Sequence, residues 1–190
     1  MNAELDKKLV QKYPKLFAQR NLPMDQTAMC WGFQHGDGWF HIIDNLCSLI
    51  QSHIDHSAKV RKDAIAYNKM LDDAKKGKWT RFNKYYKAFL KNPNDPWVAA
   101  RRADIATDEP RVVYPEIEQV QVTQVKEKFG TLRFYYNGGD EYIHGAVALA
   151  EAMSGTTCET CGSPGHVRGH GYIYTACDKH EDRKTGMGLS

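Results

Sequence analysis

The chain has 190 residues, of which 42% are hydrophobic, and a formal net charge of +3 at pH 7. This length and composition suit one domain with an appendage, or two small domains, and the small charge does not by itself indicate nucleic-acid binding. No run of about 18 apolar residues occurs, so no membrane-spanning segment or membrane partner is expected. The charged N-terminus lacks the apolar stretch of a secretory signal, and we therefore expect a cytoplasmic protein.

The first part of the chain combines short elements with one long helical pattern. A short helix is predicted before Pro14, and residues 27–33 have the composition of a strand. From Trp39 onwards the apolar residues recur every three or four positions, which predicts a helix from about Gly38 to His56 with one buried face. Asp37 stands where the N-cap of this helix is expected.

Residues 58–115 are predicted to form a helical insertion, with one helix up to Lys76 and a short one after Pro96. Seven basic residues between positions 75 and 91 occur without any acidic residue: Lys75, Lys76, Lys78, Arg81, Lys84, Lys87 and Lys91. Four aromatic residues in the same segment recur with helical spacing: Trp79, Phe82, Tyr86 and Phe89. This spacing favours a buried aromatic stripe behind a solvated basic face. The alternative is a polyanion or partner surface on which bases stack.

The period of the apolar pattern changes to two after residue 116. Residues 117–125 and 131–136 predict the strands of a β-hairpin, with the turn at Lys126–Gly130 between them. Asp140–Met153 then has the pattern of a helix with Ile143, Ala146, Val147 and Ala150 inward. Together with the N-terminal helices, these elements predict an α+β core made of residues 1–57 and 116–153.

The last segment, residues 154–190, carries the spacing of a structural zinc site. Cys158 and Cys161 form a C-x2-C pair, and after fifteen intervening residues Cys177 and His180 form a C-x2-H pair. Four thiolate and imidazole ligands complete a tetrahedron and leave no position for a catalytic water, so we predict one structural Zn²⁺ per chain. The alternatives are thiols that merely lie close in sequence and a disulfide, although an odd count of five cysteines suits a reducing compartment better than a disulfide framework.

Four other histidines are candidates for chemistry: His35, His41, His166 and His170. Near Asp37, such histidines could serve a second metal ion in a zinc-stapled nuclease. No phosphate-binding loop, nucleophile motif or carboxylate pair accompanies them, and a non-catalytic role is the favoured interpretation. His166 and His170 also lie inside the zinc loop, but the closer spacing of His180 to Cys177 favours His180 as the fourth ligand.

Three motifs stand out across these elements. They are GDGWF at residues 36–40, VKEKFGTLRFY at residues 125–135, and CETCGSPG at residues 158–165 followed by CDKH at residues 177–180. The motifs resemble an uncharacterised group of small phage and prophage proteins. The resemblance spans roughly residues 27–56 and 118–182, with residues 58–115 inserted between the two halves. It implies a phage origin and no particular activity.

The elements together predict an α+β fold in which a β-hairpin or small antiparallel sheet packs on helices. A helical insertion and a C-terminal zinc ribbon or treble-clef-like module complete it. The favoured function is that of a non-catalytic phage accessory protein in an infected bacterium, which binds a host macromolecule, above all a host protein, for host takeover or to inhibit defence. The alternatives are a nucleic-acid-binding zinc protein that uses residues 75–91 and a zinc-stapled nuclease.

Overall fold

The computed structural model describes residues 1–87, 96–169 and 171–181. Over these residues it confirms the α+β class, with helices, a three-stranded sheet and a two-stranded hairpin. The chain divides into two compact units, residues 1–54 with 117–190 and residues 55–116, and each unit has its own hydrophobic cluster. None of the helices in the described ranges is both long and apolar enough to span a membrane.

The helices and strands follow one another in nearly the predicted order. The α-helices of the described ranges are α1 (Ala3–Lys12), α2 (Phe40–Lys75), α3 (Thr80–Tyr85), α4 (Pro96–Asp104) and α5 (Glu141–Ser154). The strands are β1 (Phe33–Gln34), β2 (Gln121–Lys128), β3 (Thr131–Asn137), β4 (His166–Arg168) and β5 (Tyr174–Ala176). Short 3₁₀ helices cover Ala18–Asn21, Ala28–Trp31, Asp37–Trp39 and Asp178–His180.

The strand predicted for residues 27–33 is wrong for most of its length. A 3₁₀ helix occupies Ala28–Trp31, and only Phe33 at the end of the segment belongs to a strand. The Thr27 side chain accepts a hydrogen bond from the Met29 backbone N–H at 3.1 Å and starts a helical turn. Such local bonds from a threonine compete with strand pairing, and this one outweighs the β-favouring composition of the segment.

The two helices predicted on either side of residue 57 form a single helix of 36 residues, α2. No Gly or Pro interrupts the sequence before Gly77, so nothing stops the backbone hydrogen bonds from continuing. Asp37 is not the N-cap, because a 3₁₀ turn precedes α2 and Gly36 stands at the start of that turn. The Asp37 carboxylate instead accepts hydrogen bonds from the backbone and side-chain N–H groups of Asn2.

The three-stranded sheet has the order β1-β2-β3. The predicted hairpin is confirmed as the antiparallel pair β2–β3, and β1 adds a short parallel edge to β2. Phe129 and Gly130 connect the hairpin strands with φ angles of 54° and 80°, the positive values that a two-residue turn needs to match the twist of the strands. The Phe129 ring is 68% exposed at the tip of this turn.

The core of the first unit is formed by α1, the first half of α2, α5 and the inner face of the sheet. Trp39 and Ile43 from α2 and its preceding turn, together with Leu132 from β3, are fully buried in it. The inward residues predicted for α5 are confirmed, with Ala146 only partly buried. Asp140 caps α5 by accepting a hydrogen bond from the Ile143 N–H at 3.1 Å.

The core of the second unit is built around Phe82. Its ring is fully buried among residues of α2 and α4, and Trp79 and Tyr86 pack against the same cluster while partly exposed. Core packing is therefore confirmed for these members of the aromatic stripe, while Phe89 lies outside the described residues. Six of the seven basic residues are exposed, and Lys91 also lies outside the described ranges. Their role as a polyanion or partner surface stays a prediction.

We expect Phe82→Ala to lower the free energy of unfolding by roughly 3–5 kcal/mol, because truncation of a fully buried ring leaves a cavity. Trp79→Ala should cost less, since that side chain is only partly buried. Asn83→Ala, an exposed change on the same helix, should stay within about 0.5 kcal/mol. Urea titration monitored by circular dichroism measures all three. Equal costs for Phe82→Ala and Asn83→Ala would show that the ring is not part of the core.

Candidate metal centre

The four residues predicted to bind a metal converge at one point of the first unit. The ligand atoms of Cys158, Cys161, Cys177 and His180 all lie within 4.8 Å of one another. The two sulfurs of Cys161 and Cys177 are 3.8 Å apart, and His180 Nδ1 lies 3.6 Å from the Cys158 sulfur and 3.2 Å from the Cys177 sulfur. These side chains can therefore hold a metal ion, with Nδ1 as the ligand atom of the histidine.

Two of the three distances match a tetrahedral site, and the Cys177–His180 distance of 3.2 Å is somewhat shorter. Zn–S bonds of about 2.3 Å and Zn–N bonds of about 2.0 Å imply edges of about 3.8 Å between sulfurs and about 3.5 Å between sulfur and nitrogen. The disulfide alternative does not fit, because a disulfide needs sulfurs about 2.05 Å apart and all five cysteines are free thiols. The two cysteines outside the cluster are not ligands: Cys47 is fully buried in the core and Cys30 is half-buried.

A tight backbone turn presents the first two cysteines. The Gly162 N–H donates to the Cys158 carbonyl at 2.9 Å, and the Cys158 N–H donates to the Ser163 carbonyl at 2.8 Å. Gly162 has a φ of 76°, which residues with a Cβ rarely adopt, so glycine at this position permits the turn. The spacing of two residues between the cysteines thus places both sulfurs on the same side of the turn.

The second ligand pair lies on the 3₁₀ helix Asp178–His180 and its preceding residue, after the hairpin β4–β5. Arg168 on β4 fixes this turn: it forms ion pairs with Asp178 and, at 2.8 Å, with Glu181. Its Nε also donates to the Ala176 carbonyl at 3.1 Å. The order of turn, hairpin and helical turn corresponds to a treble-clef-like module more closely than to a ribbon with two equivalent turns.

The electrostatics of the site favour a bound cation. Burial opposes ionisation of the Cys158 thiol, but the backbone N–H groups of Cys177, Cys161 and Thr160 outweigh it and lower the pKa to about 6. Burial and the two neighbouring thiols raise the pKa of Cys177. Three thiolates at this distance repel one another without a positive charge between them, and a divalent ion supplies that charge.

The centre is attached to the core by backbone contacts of the GDG motif. The Gly38 N–H donates to the Glu159 carbonyl at 2.8 Å, and the Trp39 indole N–H donates to the Thr157 carbonyl at 2.8 Å. A Cβ on Gly38 would lie 2.1 Å from the Cys158 carbonyl oxygen, and one on Gly36 would lie 2.3 Å from the Glu159 carbonyl oxygen. Both glycines are therefore required because the two backbones touch.

The hairpin motif contacts the same module from another side. The Thr175 hydroxyl donates to the Gly130 carbonyl at 2.5 Å, and the Tyr172 hydroxyl donates to Glu127 at 3.1 Å. The three motifs singled out in the sequence thus meet around the metal centre. Spacing within each motif did not reveal this convergence, because the contacts join residues that are far apart in the sequence.

The candidate histidines that the structure describes, His35, His41 and His166, do not form a second metal centre. His35 is buried; its Nδ1 lies 2.7 Å from the Gly36 carbonyl, and burial lowers its pKa to about 4, so the ring is neutral at pH 7. His41 on α2 and His166 on β4 are exposed, and His170 lies outside the described residues. In the described ranges, the Cys₃His cluster is the only group of three or more potential ligands close enough to share a metal.

No family model matches the chain, and neither the curated proteins nor the solved structures contain a match.

We expect purified protein to contain one zinc per chain, and Cys161→Ser to lose it, because three ligands no longer complete the tetrahedron. His180→Ala should weaken zinc binding strongly, whereas His166→Ala, a change at an exposed strand position, should leave it unchanged. Elemental analysis and titration with a chromogenic chelator measure both effects. A greater loss with His166→Ala than with His180→Ala would assign the fourth ligand to the loop.

Gly38→Ala should destabilise the first unit by about 3 kcal/mol or more, because the added methyl group meets a backbone oxygen that cannot move independently. Gly145→Ala is the matched control: no atom lies within 4 Å of the added methyl, and replacement of a helical glycine should stabilise by roughly 0.5–1 kcal/mol. Thermal unfolding of the zinc-loaded protein separates the two. A neutral Gly38→Ala variant would mean that the two backbones do not touch in solution.

Proposed function

We propose that the Cys₃His cluster holds a structural Zn²⁺ and that the protein acts by binding another protein, without catalysis. This proposal rests on one observation: a surface of the first unit, next to the metal centre, is apolar and uncharged and is nevertheless exposed to solvent. All four coordination positions come from side chains, so no position stays open for water or substrate. In this proposal the metal stabilises the module that forms one end of the binding surface.

The surface is a groove of about 400 Å³ between α2 and α5, here called the α2–α5 groove. Ile42, Leu46 and Leu49 line it from α2, and Leu149 and Met153 line it from α5. The metal ligand Cys161 lies at one end. Leu149 is 63% exposed and Met153 is 50% exposed, so these side chains stand at the rim and are available to a partner.

The α2–α5 groove carries no charge that would select a polyanion or a lipid surface. None of the described residues that line it is Asp, Glu, Lys or Arg. The one acidic residue within α5 between Tyr142 and Met153 is Glu151, and it accepts a hydrogen bond from the Phe134 N–H inside the unit. Surfaces that bind nucleic acid and helices that lie on membranes carry Lys and Arg, and neither residue type occurs in the described lining of this groove.

The composition instead matches the centre of a protein interface, which is poor in charge and rich in Met, aromatic and aliphatic side chains. The exposed face of α5 also extends past the groove to Tyr142, which is 54% exposed, and to Ala148 and Ala152. A small molecule would not cover a surface of that length. A partner that presents an apolar helix, with anchors spaced by three or four residues, fits such a groove.

The partner that we propose is a bacterial host protein, and the setting is the cytoplasm of an infected cell, where the chain would serve host takeover or block a defence system. The neutral groove supports the protein-binding part of this proposal. The phage setting rests on the resemblance of the three motifs. The nuclease alternative has no second metal cluster in the described ranges to support it.

Leu149→Asp should abolish binding of the partner and leave the fold intact, because it places a charge in an apolar interface at a position that is exposed in the free protein. Met24→Asp, a charge at a loop position that is 68% exposed, is the matched control. Affinity purification from nuclease-treated bacterial lysate should yield a protein retained by wild type and by Met24→Asp and lost with Leu149→Asp. Titration of that purified protein then measures the affinity.

Two results would contradict the proposal. Retention of the same protein by Leu149→Asp would place the binding site elsewhere. A wild-type dimer that Leu149→Asp converts to a monomer, measured by analytical ultracentrifugation, would show that a second copy of this chain covers the α2–α5 groove.

A further inference from the structure

The positive charge of the chain is concentrated in the second unit. Residues 55–116 contain fourteen Lys and Arg against nine Asp and Glu, a net +5, whereas the rest of the chain contains twelve against fourteen, a net −2. Within the second unit, residues 59–87 hold ten basic residues and three acidic ones. The net charge of the whole chain is therefore small although residues 59–87 are strongly basic.

The three acidic residues of this region are already engaged. Asp63 pairs with Arg111, Asp72 with Lys76 and Asp73 with Arg81. Several lysines form no ion pair within the part of the chain that the structure describes: Lys59, Lys62, Lys69, Lys78, Lys84 and Lys87. The excess positive charge consequently faces solvent without a neutralising partner there.

Two of these lysines, Lys69 and Lys84, line a groove between α2 and α3, here called the basic groove. It has a volume of about 390 Å³ and is lined by Ala66, Lys69, Arg81, Lys84 and Tyr85. None of these lining residues is acidic. Lys62 lies on the same side of α2, one turn before Ala66, because residues four apart on a helix are neighbours. Lys69 and Lys62 were not part of the basic set identified from the sequence, which began at Lys75.

The aromatic rings near the basic groove are used for packing. Phe82 is fully buried, and the Tyr85 ring contacts the rings of Tyr67 and Tyr86 with centroid distances of 5.8 and 5.0 Å. The Tyr85 hydroxyl donates to Asp63 at 2.8 Å. A ring fixed in this way cannot rotate to stack on a base, so any nucleic acid in the groove would be held through its phosphates.

We propose that the basic groove binds the phosphate backbone of nucleic acid without reading its sequence. Lys62, Lys69 and Lys84 supply the charges that replace condensed counterions, and the small side chain of Ala66 leaves room for the backbone between them. Charge complementarity selects the occupant: a repeated monoanion matches several separate ammonium groups better than a single small anion does. This site is separate from the α2–α5 groove, which is uncharged.

The test measures binding of the full-length, zinc-loaded protein to two fluorescein-labelled DNA duplexes of unrelated sequence, between about 50 and 200 mM salt. Both duplexes should bind equally, and the logarithm of the association constant should fall with the logarithm of salt concentration with a slope of about −3, as expected for three phosphate contacts. The double variant Lys69→Gln/Lys84→Gln should weaken binding roughly sixtyfold at 0.1 M salt. It should also make the slope less steep, with a magnitude that is smaller by about 2.

The matched control is Lys7→Gln/Lys128→Gln, which removes two exposed charges from the first unit. It should change affinity by less than about twofold and leave the slope unaltered, because neither of these lysines lines the basic groove. Circular dichroism and thermal unfolding should be the same for both double variants, because the replaced side chains are exposed.

Three results would overturn the proposal. The first is an equal loss in the control variant, which would mean that overall charge and not the basic groove drives binding. The second is polyglutamate that competes as well as duplex DNA does at equal charge, which would indicate an acidic protein as the occupant. The third is tighter binding of single-stranded DNA that Tyr85→Ala abolishes, which would show that bases stack in the groove. Loss of host-protein binding through Leu149→Asp does not bear on any of these.

Discussion

Direct contact between two backbones, those of the GDG motif and of the metal-binding turn, is the constraint on which the first unit depends. Gly36 and Gly38 let the start of α2 approach Cys158 and Glu159 with no side chain in between. The metal centre is consequently continuous with the hydrophobic core, through Trp39, rather than a loosely attached appendage. Because binding of a structural zinc is coupled to folding, a zinc ion held by this cluster would also stabilise the start of α2.

The two grooves differ in the chemical character of their lining residues, and each lies in a different unit. The α2–α5 groove is apolar, and Cys161 of the Cys₃His cluster lines one end of it. The basic groove lies between α2 and α3, next to the core around Phe82. Under the two proposals, the chain would bring a host protein and a phosphate backbone together, and a bound metal would contribute by stabilising one of the surfaces.

The predictions for residues 27–33 and for Asp37 are wrong because local hydrogen bonds outweigh the average conformational preferences of these residue types. Residues 27–33 are rich in β-favouring side chains, but the Thr27 hydroxyl bonds to the Met29 N–H and forms a helical turn. Asp37 has the right type and position for an N-cap, but Asn2 from the beginning of the chain binds its carboxylate. In both cases one or two hydrogen bonds decided the local structure, and composition does not reveal individual hydrogen bonds.

The sequence by itself determined the residues of the Cys₃His cluster, the β2–β3 hairpin and the inner face of α5. Each depends on residues close together in the chain, whose spacing and backbone preferences limit the conformations they can share. Only the tertiary structure decided which surfaces stayed uncovered. Leu149 and Met153 are apolar residues that no other element of the described chain buries, and Lys69 and Lys84 line one groove because α3 lies next to α2. The placement of residues from different elements at one surface depends on how the elements pack. Residue spacing within one element does not specify that packing.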